Sequence, residues 1–431
     1  MPAEKIISFL PSLLGVDGRV RYLVLLENPG EIRSTGGWLS SYAVVALDGG
    51  QVRELKVDDI YNAEGQLKIA GKYFEAPKDM QQALGLSKWS LSLSNWSPSL
   101  PETAATATNF LSKLDPGVEF NGVITIDTEF LKSLLAKWNG ILVPGDSEKI
   151  TADNLDAKIY QLHSEFVPGQ PVKSAFLANL SNVILKKILT SDINGYKDIA
   201  QVVSTSLNEK HIQISTKLKD ANEFFADNNW SGEMDKKYTT APIPIEWNWG
   251  GNKANLFLER SYSLNIAIIN ANTINYDYEI FIQNKATSNV YPQGEYKNYT
   301  RIYLPTNANT ISATGFDGEK YITYNQGGFK IIAGWFDIPI RTTKNLHLKY
   351  SVINSSNSSD FAISKADNGY ALDLNIYKQA GFKSDAVNLS IVYPDTWAVV
   401  TNQGLERGAN ALNANFNLNT PKEFNIIWKE K

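Results

Sequence analysis

The 431-residue chain contains no cysteine. Structural disulfides, thiolate metal sites and cysteine nucleophiles are thereby excluded. Histidine is nearly as scarce. His163, His211 and His347 stand far apart, with no HExxH or other paired arrangement, so a histidine-based zinc site is not expected. No apolar run approaches the ~20 residues that a membrane-spanning helix needs. The first residues lack the basic region and the long apolar region of a signal peptide. There is no block of lysine or arginine, and the formal net charge is −4. The electrostatic footprint of a nucleic-acid-binding protein is therefore missing, and no nucleic-acid partner is expected. A GxGxxG fingerprint, a Walker A loop and a Ser–His–Asp arrangement are missing too, which argues against a nucleotide-dependent enzyme.

What is present is the material of a large globular protein. The length suggests two or three domains, and a hydrophobic fraction of 43% with 20% charged residues supports a substantial core. Asparagine, threonine, serine and tyrosine are plentiful after Asn248, a composition that suits an exposed, strand-rich envelope protein. The opening, MPAEKIISFLPSLLG, is abrupt. It is read as the start of a body whose upstream anchor is missing from this sequence; a natural cytosolic start is the alternative.

Two regions differ in pattern. Up to about residue 240, strand-like and helix-like segments alternate. Strands are predicted over 22–26, 38–47, 52–57, 120–126 and 211–215, and helices over 98–114, from 128 to near 138, and over 151–166, 174–189, 197–207 and 217–227. Asp127 is read as an N-cap, and Asn139-Gly140 as a stop. Alternation of this kind implies an α/β layer structure. From 241 onward helical periodicity disappears. Strand-like runs at 255–270, 276–284, 300–304, 328–338, 346–353, 371–377, 387–392 and 423–428 are divided by Gly, Asn, Ser and Pro turns, with a loop at 354–359. This pattern predicts an all-β, sandwich-like domain. The expected organisation is an α/β domain over 1–240 and a β domain over 241–431.

The segment between the first two strands, 27–37, concentrates chemistry. Arg33 offers a planar fork for phosphate or carboxylate. Thr35, Gly36 and Gly37 could turn backbone N–H groups toward an anion. Glu31, with Asp58 and Asp59 at the end of the third strand, could hold a hard divalent cation such as magnesium. The plainer reading is that Glu31 and Arg33 form a structural ion pair, that the glycines permit tight packing, and that Asp58-Asp59 is a solvated strand end. His163 and His211 are read as structural, and Trp89, Trp96 and Trp138 as core or cleft walls.

The order of motifs resembles the bacterial family called domain of unknown function 4012. Its opening pattern, YLVLxQNxxELRPTGGF, is matched by residues 22–26, Asn28, Glu31, Arg33, Thr35, Gly36, Gly37 and Trp38. Weaker matches follow in order: Asn95-Trp96-Ser97-Pro98 with Pro101, Asn121-Gly122-Val123-Ile124, Ile150-Thr151 with Asn154, Lys210-His211-Ile212, Asn252-Lys253-Ala254, and Arg301, Tyr303 and Pro305. Ser34, Glu27 and Ser99 depart from the proline, glutamine and aspartate usual there. A looser, topological likeness is to the LytR–CpsA–Psr phosphotransferases, which move glycan polymers from polyprenyl pyrophosphate onto the cell wall with arginines, aspartates and magnesium. Their Arg-Asp pair has Asp58 in place of the arginine.

The resemblance implies a three-layer, LytR–CpsA–Psr-like α/β domain in an extracytoplasmic cell-envelope protein, tethered through an N-terminal anchor absent from this sequence. It implies Arg33 and Asp59 in catalytic roles, Thr35, Gly36 and Gly37 on substrate, and Glu31 and Asp58 on magnesium. The implied partner is a polyprenyl-linked glycan or cell-wall polymer. The competing expectation is a non-catalytic scaffold or adhesion protein whose β domain binds glycan or protein.

Overall fold

The computed structural model describes residues 2–164, 172–235, 237, 240–354, 362–366 and 369–431. The loop read at 354–359 lies outside the described residues beyond Asn354, as do the end of the helix predicted over 151–166 and the His163 side chain. The chain divides into two units, 1–233 and 234–431.

The first unit opens with helix α1 (Pro2–Leu13), followed by strands β1 (Val20–Asn28), β2 (Trp38–Asp48) and β3 (Gln51–Asp59). Helix α2 (Ile60–Ile69), the short strand β4 (Phe74–Glu75), helix α3 (Lys78–Leu84) and strand β5 (Lys88–Trp89) come next. Helix α4 (Leu100–Leu114) leads to β6 (Gly122–Asp127) and α5 (Thr128–Lys137). A small hairpin of β7 (Ile141–Leu142) and β8 (Lys149–Ile150) precedes α6 (Leu155–Ser164), α7 (Val172–Leu189), α8 (Ile193–Asn208), β9 (Ile212–Thr216) and α9 (Lys219–Asp227).

The main sheet has the order β3-β2-β1-β6-β9. Only β1 and β6 run parallel; the other neighbours are antiparallel. β1 reads as a nearly unbroken apolar run, and Leu23 and Leu25 have no exposed surface, as expected of a central strand covered on both faces. Successive residues of β6 point to opposite faces. Val123 joins Leu23, Leu25 and Tyr42 in a core with Leu67 of α2 and Ala107, Phe110 and Leu111 of α4. Ile124 and Ile126 join Ile212 and Val57 in a second core with Leu134 of α5, Leu162 of α6, Leu180 of α7 and Val202 of α8. Helices thus cover both faces of a mixed sheet. α1 docks on α9, where Phe9 meets Phe224 and Phe225.

The second unit contains strands β10 (Ile243–Asn248), β11 (Leu258–Asn270), β12 (Thr273–Asn284), β13 (Asn298–Pro305), β14 (Ala308–Thr314), β15 (Ile322–Gln326), β16 (Phe329–Trp335) and β17 (Thr343–Ile353). They are followed by β18 (Ile363–Ala366), β19 (Gly369–Ile376), β20 (Ala386–Val392), β21 (Trp397–Thr401), β22 (Glu406–Arg407), β23 (Ala411–Asn417) and β24 (Lys422–Glu430). They form three sheets, β10-β13-β16-β15, β14-β17-β12-β11-β20-β23-β22 and β18-β19-β24-β21. The all-β character expected from the sequence is present, and the largest of the three sheets has seven strands.

Candidate functional site at one end of the mixed sheet

The direction of the strands gathers the polar residues of the first unit at one place. β1, β3 and β6 end there, and β2 and β9 begin there. The chain builds outward from β1 to β2 and β3, then crosses back to place β6 on the other side of β1. The carboxyl ends of β1 and β6 therefore flank a topological switch point, where open α/β sheets bind their ligands. Glu27 and Asp127 are register partners across it.

Both carboxylates are buried. Thr35 Oγ1 donates to Glu27 Oε1 at 2.5 Å, and Asn95 Nδ2 lies 3.1 Å from the same oxygen and 2.9 Å from Gly37 O. Burial pushes the Glu27 carboxyl up to about 8; these hydrogen bonds act against the rise and the neighbouring Asp127 adds to it. Asp127 caps α5, accepting from Glu129 N and Phe130 N, and its other oxygen meets His211 Nδ1 at 2.6 Å. Gln213 Nε2 donates to Thr35 O at 2.7 Å, which ties β9 to the β1–β2 turn.

Arg33 is 1% exposed. Its Nη2 meets Glu31 Oε1 at 2.8 Å, and its guanidinium carbon lies 4.9 Å from the centre of the Trp38 ring. The ion pair read from the sequence is formed, in a buried setting. The anion-nest expectation fares differently. Gly36 N–H is donated to Arg33 O, the Thr35 hydroxyl is spent on Glu27, and Gly37 O accepts from Asn95. A Cβ on Gly37 would stand 2.3 Å from the Asn28 carbonyl carbon. Gly37 is thus required by the close approach of two backbones, and the Gly36 N–H and the Thr35 hydroxyl are used inside the turn.

Asp59 is the N-cap of α2, its Oδ1 accepting from Tyr61 N at 2.9 Å, while Oδ2 faces Lys173 Nζ at 3.3 Å. Asp58 Oδ1 accepts from Asn62 Nδ2 at 2.9 Å. Among the described residues no group of three His, Asp or Glu could hold a metal ion. Glu31, Asp58 and Asp59, expected on magnesium, are each engaged by other side chains or backbone. Tyr61 links the two halves of this rim. Its phenol is pushed up to about 12, first by burial and then by Glu64, Glu31 and Asp59, with Arg33 acting in the opposite sense.

The sequence reading passed over Glu27, Asn95, Asp127 as a partner of His211, and Gln213. A signal for three of them was present. Asn95 and His211 lie in the weaker motifs, and Glu27 in the opening one. Motifs that are individually weak converge on the turn: Ser34 Oγ donates to Trp96 O at 2.7 Å, and Trp96 Nε1 to Asp79 at 2.7 Å.

No curated protein matches the chain in sequence. Among solved structures, similarity is found to TagV of Bacillus subtilis at 13% identity and a TM-score of 0.31, covering 50% of this chain and 82% of that one. Lin1025 of Listeria innocua gives 14% identity and a TM-score of 0.30 over 49% of this chain and 79% of that one. An M1 zinc metallopeptidase of Deinococcus radiodurans gives 8% identity and a TM-score of 0.25 over 40% of this chain and 42% of that one. Scores of this size carry no functional conclusion. The sequence of residues 17–161 matches the family described as "Protein of unknown function (DUF4012)". The family resemblance read from the opening motif therefore holds over this segment.

Proposed function

We propose that the first unit binds a polyprenyl-phosphate-linked glycan at this polar sheet end, as the body of an extracytoplasmic cell-envelope protein. The observation that carries the reading is the placement of two buried cations, each beside a carboxylate, at this sheet end. Two cations, Arg33 and Lys173, sit at the same end of the sheet as the N-terminus of α7, while the N-termini of α2 and α5 are capped by Asp59 and Asp127. Helix N-termini favour anions, and a guanidinium presents paired donors to phosphate. The partly exposed Tyr61 marks the rim at which a ligand enters.

Of the two roles that the family resemblance implies, binding is better supported than transfer. Both oxygens of Asp59 are engaged, by a helix N–H and by Lys173, an arrangement suited to holding a helix and a cation. Arg33 is read as the phosphate-binding group, with Glu31 as its placeholder before the ligand arrives. The anchor and the extracytoplasmic location belong to the same proposal.

The test compares thermal stabilisation by a polyprenyl phosphate in micelles with that by the matching polyprenol. The phosphate form should raise the unfolding temperature and the alcohol should not. Because removing one partner of a buried ion pair also damages the fold, the informative variant is the double change Glu31→Leu with Arg33→Met. It should remain folded and lose the phosphate-specific shift. A double variant that keeps the full shift, or a wild type that responds equally to both lipids, overturns the proposal.

A further inference from the structure

The second unit carries a separate groove, of about 470 Å³, on the seven-stranded sheet. Its size lies within the roughly 300–1,000 Å³ of ordinary small-ligand sites. Four adjacent strands line it: β12, β11, β20 and β23. The register sets Phe281, Ser261, Ala386 and Asn417 in one cross-strand row and Glu279, Ser263, Asn388 and Asn415 in the next.

The composition of this face is unusual for a strand surface. Asparagine is depleted from strands, because its side chain competes for backbone hydrogen bonds. β-Branched residues would serve a merely solvated face better. Here asparagine recurs at every second position of β23, at 413, 415 and 417, and so projects repeatedly to the same side. Asn388 of β20 stands directly opposite Asn415 and donates to it at 2.8 Å. That bond leaves the Asn388 carbonyl and the Asn415 amide hydrogens available for a ligand. A departure from local strand preference on an exposed face points to a site.

The chemistry of the lining selects a ligand class. An amide offers a donor and an acceptor side by side, which suits the vicinal hydroxyls of a sugar ring. Phe281 is 42% exposed and supplies an apolar surface for the C–H face of such a ring. Among the described residues Glu279 is the only charged one in the lining, and it is engaged by Asn345 Nδ2 at 2.5 Å. With one carboxylate and no cation among its described lining residues, the groove does not suit a phosphate or a polyanion.

We propose that this groove binds a neutral oligosaccharide, with the Asn388–Asn415 amides on sugar hydroxyls and Phe281 beneath one ring. The proposal is independent of the reading of the first unit, since all of its residues belong to the second. The test is calorimetric titration of the full chain with maltohexaose, cellohexaose, mannohexaose and chitohexaose, with an alginate hexamer as the anionic comparison. At least one neutral glycan should bind saturably and the anionic one should not. Phe281→Ala and Asn415→Ala, both at exposed positions, should each weaken binding about tenfold or more while leaving the unfolding temperature close to wild type. Failure of all four neutral glycans to bind, a preference for alginate, or affinities untouched by both variants would each overturn the assignment.

Discussion

Glu27 is a carboxyl group held where a charge is costly. Its folded pKa lies near 8, above the ordinary 4.5, so the folded state holds the proton more tightly than the unfolded one. By linkage, stability is highest below the unfolded value and falls as pH rises through about 8. Glu27→Gln keeps the acceptor for Thr35 and Asn95 and removes the titration. The variant should match wild type near pH 5 and exceed it at pH 9 by on the order of 4 kcal/mol. A gap that stays constant across that range, measured by urea unfolding, would show that Glu27 does not titrate as described. The Glu31–Arg33 pair makes a second residue-scale case. Arg33→Ala strands a buried carboxylate and should cost about 3–5 kcal/mol, whereas the Leu/Met double replacement should be close to neutral. Comparing the two unfolding curves checks this. The sequence revealed the pair itself, since a charged couple flanked by a strand and two glycines stands out. It did not reveal that the pair is buried, nor that Thr35 turns toward Glu27, where Asn95, about sixty residues away in the chain, bonds both.

Elements were legible where a local signal marked their start. Asp127 was expected to cap a helix and does so. Asp127→Ala should cost about 1–2 kcal/mol from the cap alone, and more through the loss of the His211 contact. Asp127→Asn should recover much of the deficit, because the amide oxygen can still accept from the first turn of α5. Denaturant midpoints of the two variants, compared with wild type, decide between a capping role and a purely electrostatic one. α2 escaped notice because it starts directly from β3, contains Gly65 and has little apolar periodicity; its cap, Asp59, was read as a strand end. β23 escaped for the opposite reason, since alternating asparagines do not look like a strand until neighbours on both sides supply its ladder. The β1–β2 turn is the least tolerant connection at the site. Gly37→Ala would drive a Cβ to 2.3 Å from the Asn28 backbone, so the variant should unfold at markedly lower denaturant or fail to accumulate in soluble form.

The whole molecule comprises two units with separate interiors. Residues 1–233 and 234–431, produced separately, should each unfold cooperatively, and the two transitions together should account for that of the full chain. Scanning calorimetry of the three proteins tests this, and loss of cooperativity in either part would show that its core is incomplete alone. The change from alternating helix and strand to strand alone was visible in hydrophobic periodicity. The number of sheets in the second unit was not, because which strands share a sheet is decided by pairings distant in sequence.

Synthesis proceeds from the N-terminus, and this matters for β1. Its antiparallel partner β2 follows at once, but its parallel partner β6 arrives about a hundred residues later, when Asp127 comes to lie beside Glu27. Until then a nascent chain presents an apolar three-strand meander with the flank of β1 open. Such a flank can recruit the wrong strand, from the same chain or another. The interval between the emergence of β3 and that of β6 is therefore when this protein is most exposed to misassembly. Slowing elongation over residues 60–121 should lower the soluble yield more than the same delay placed after residue 234.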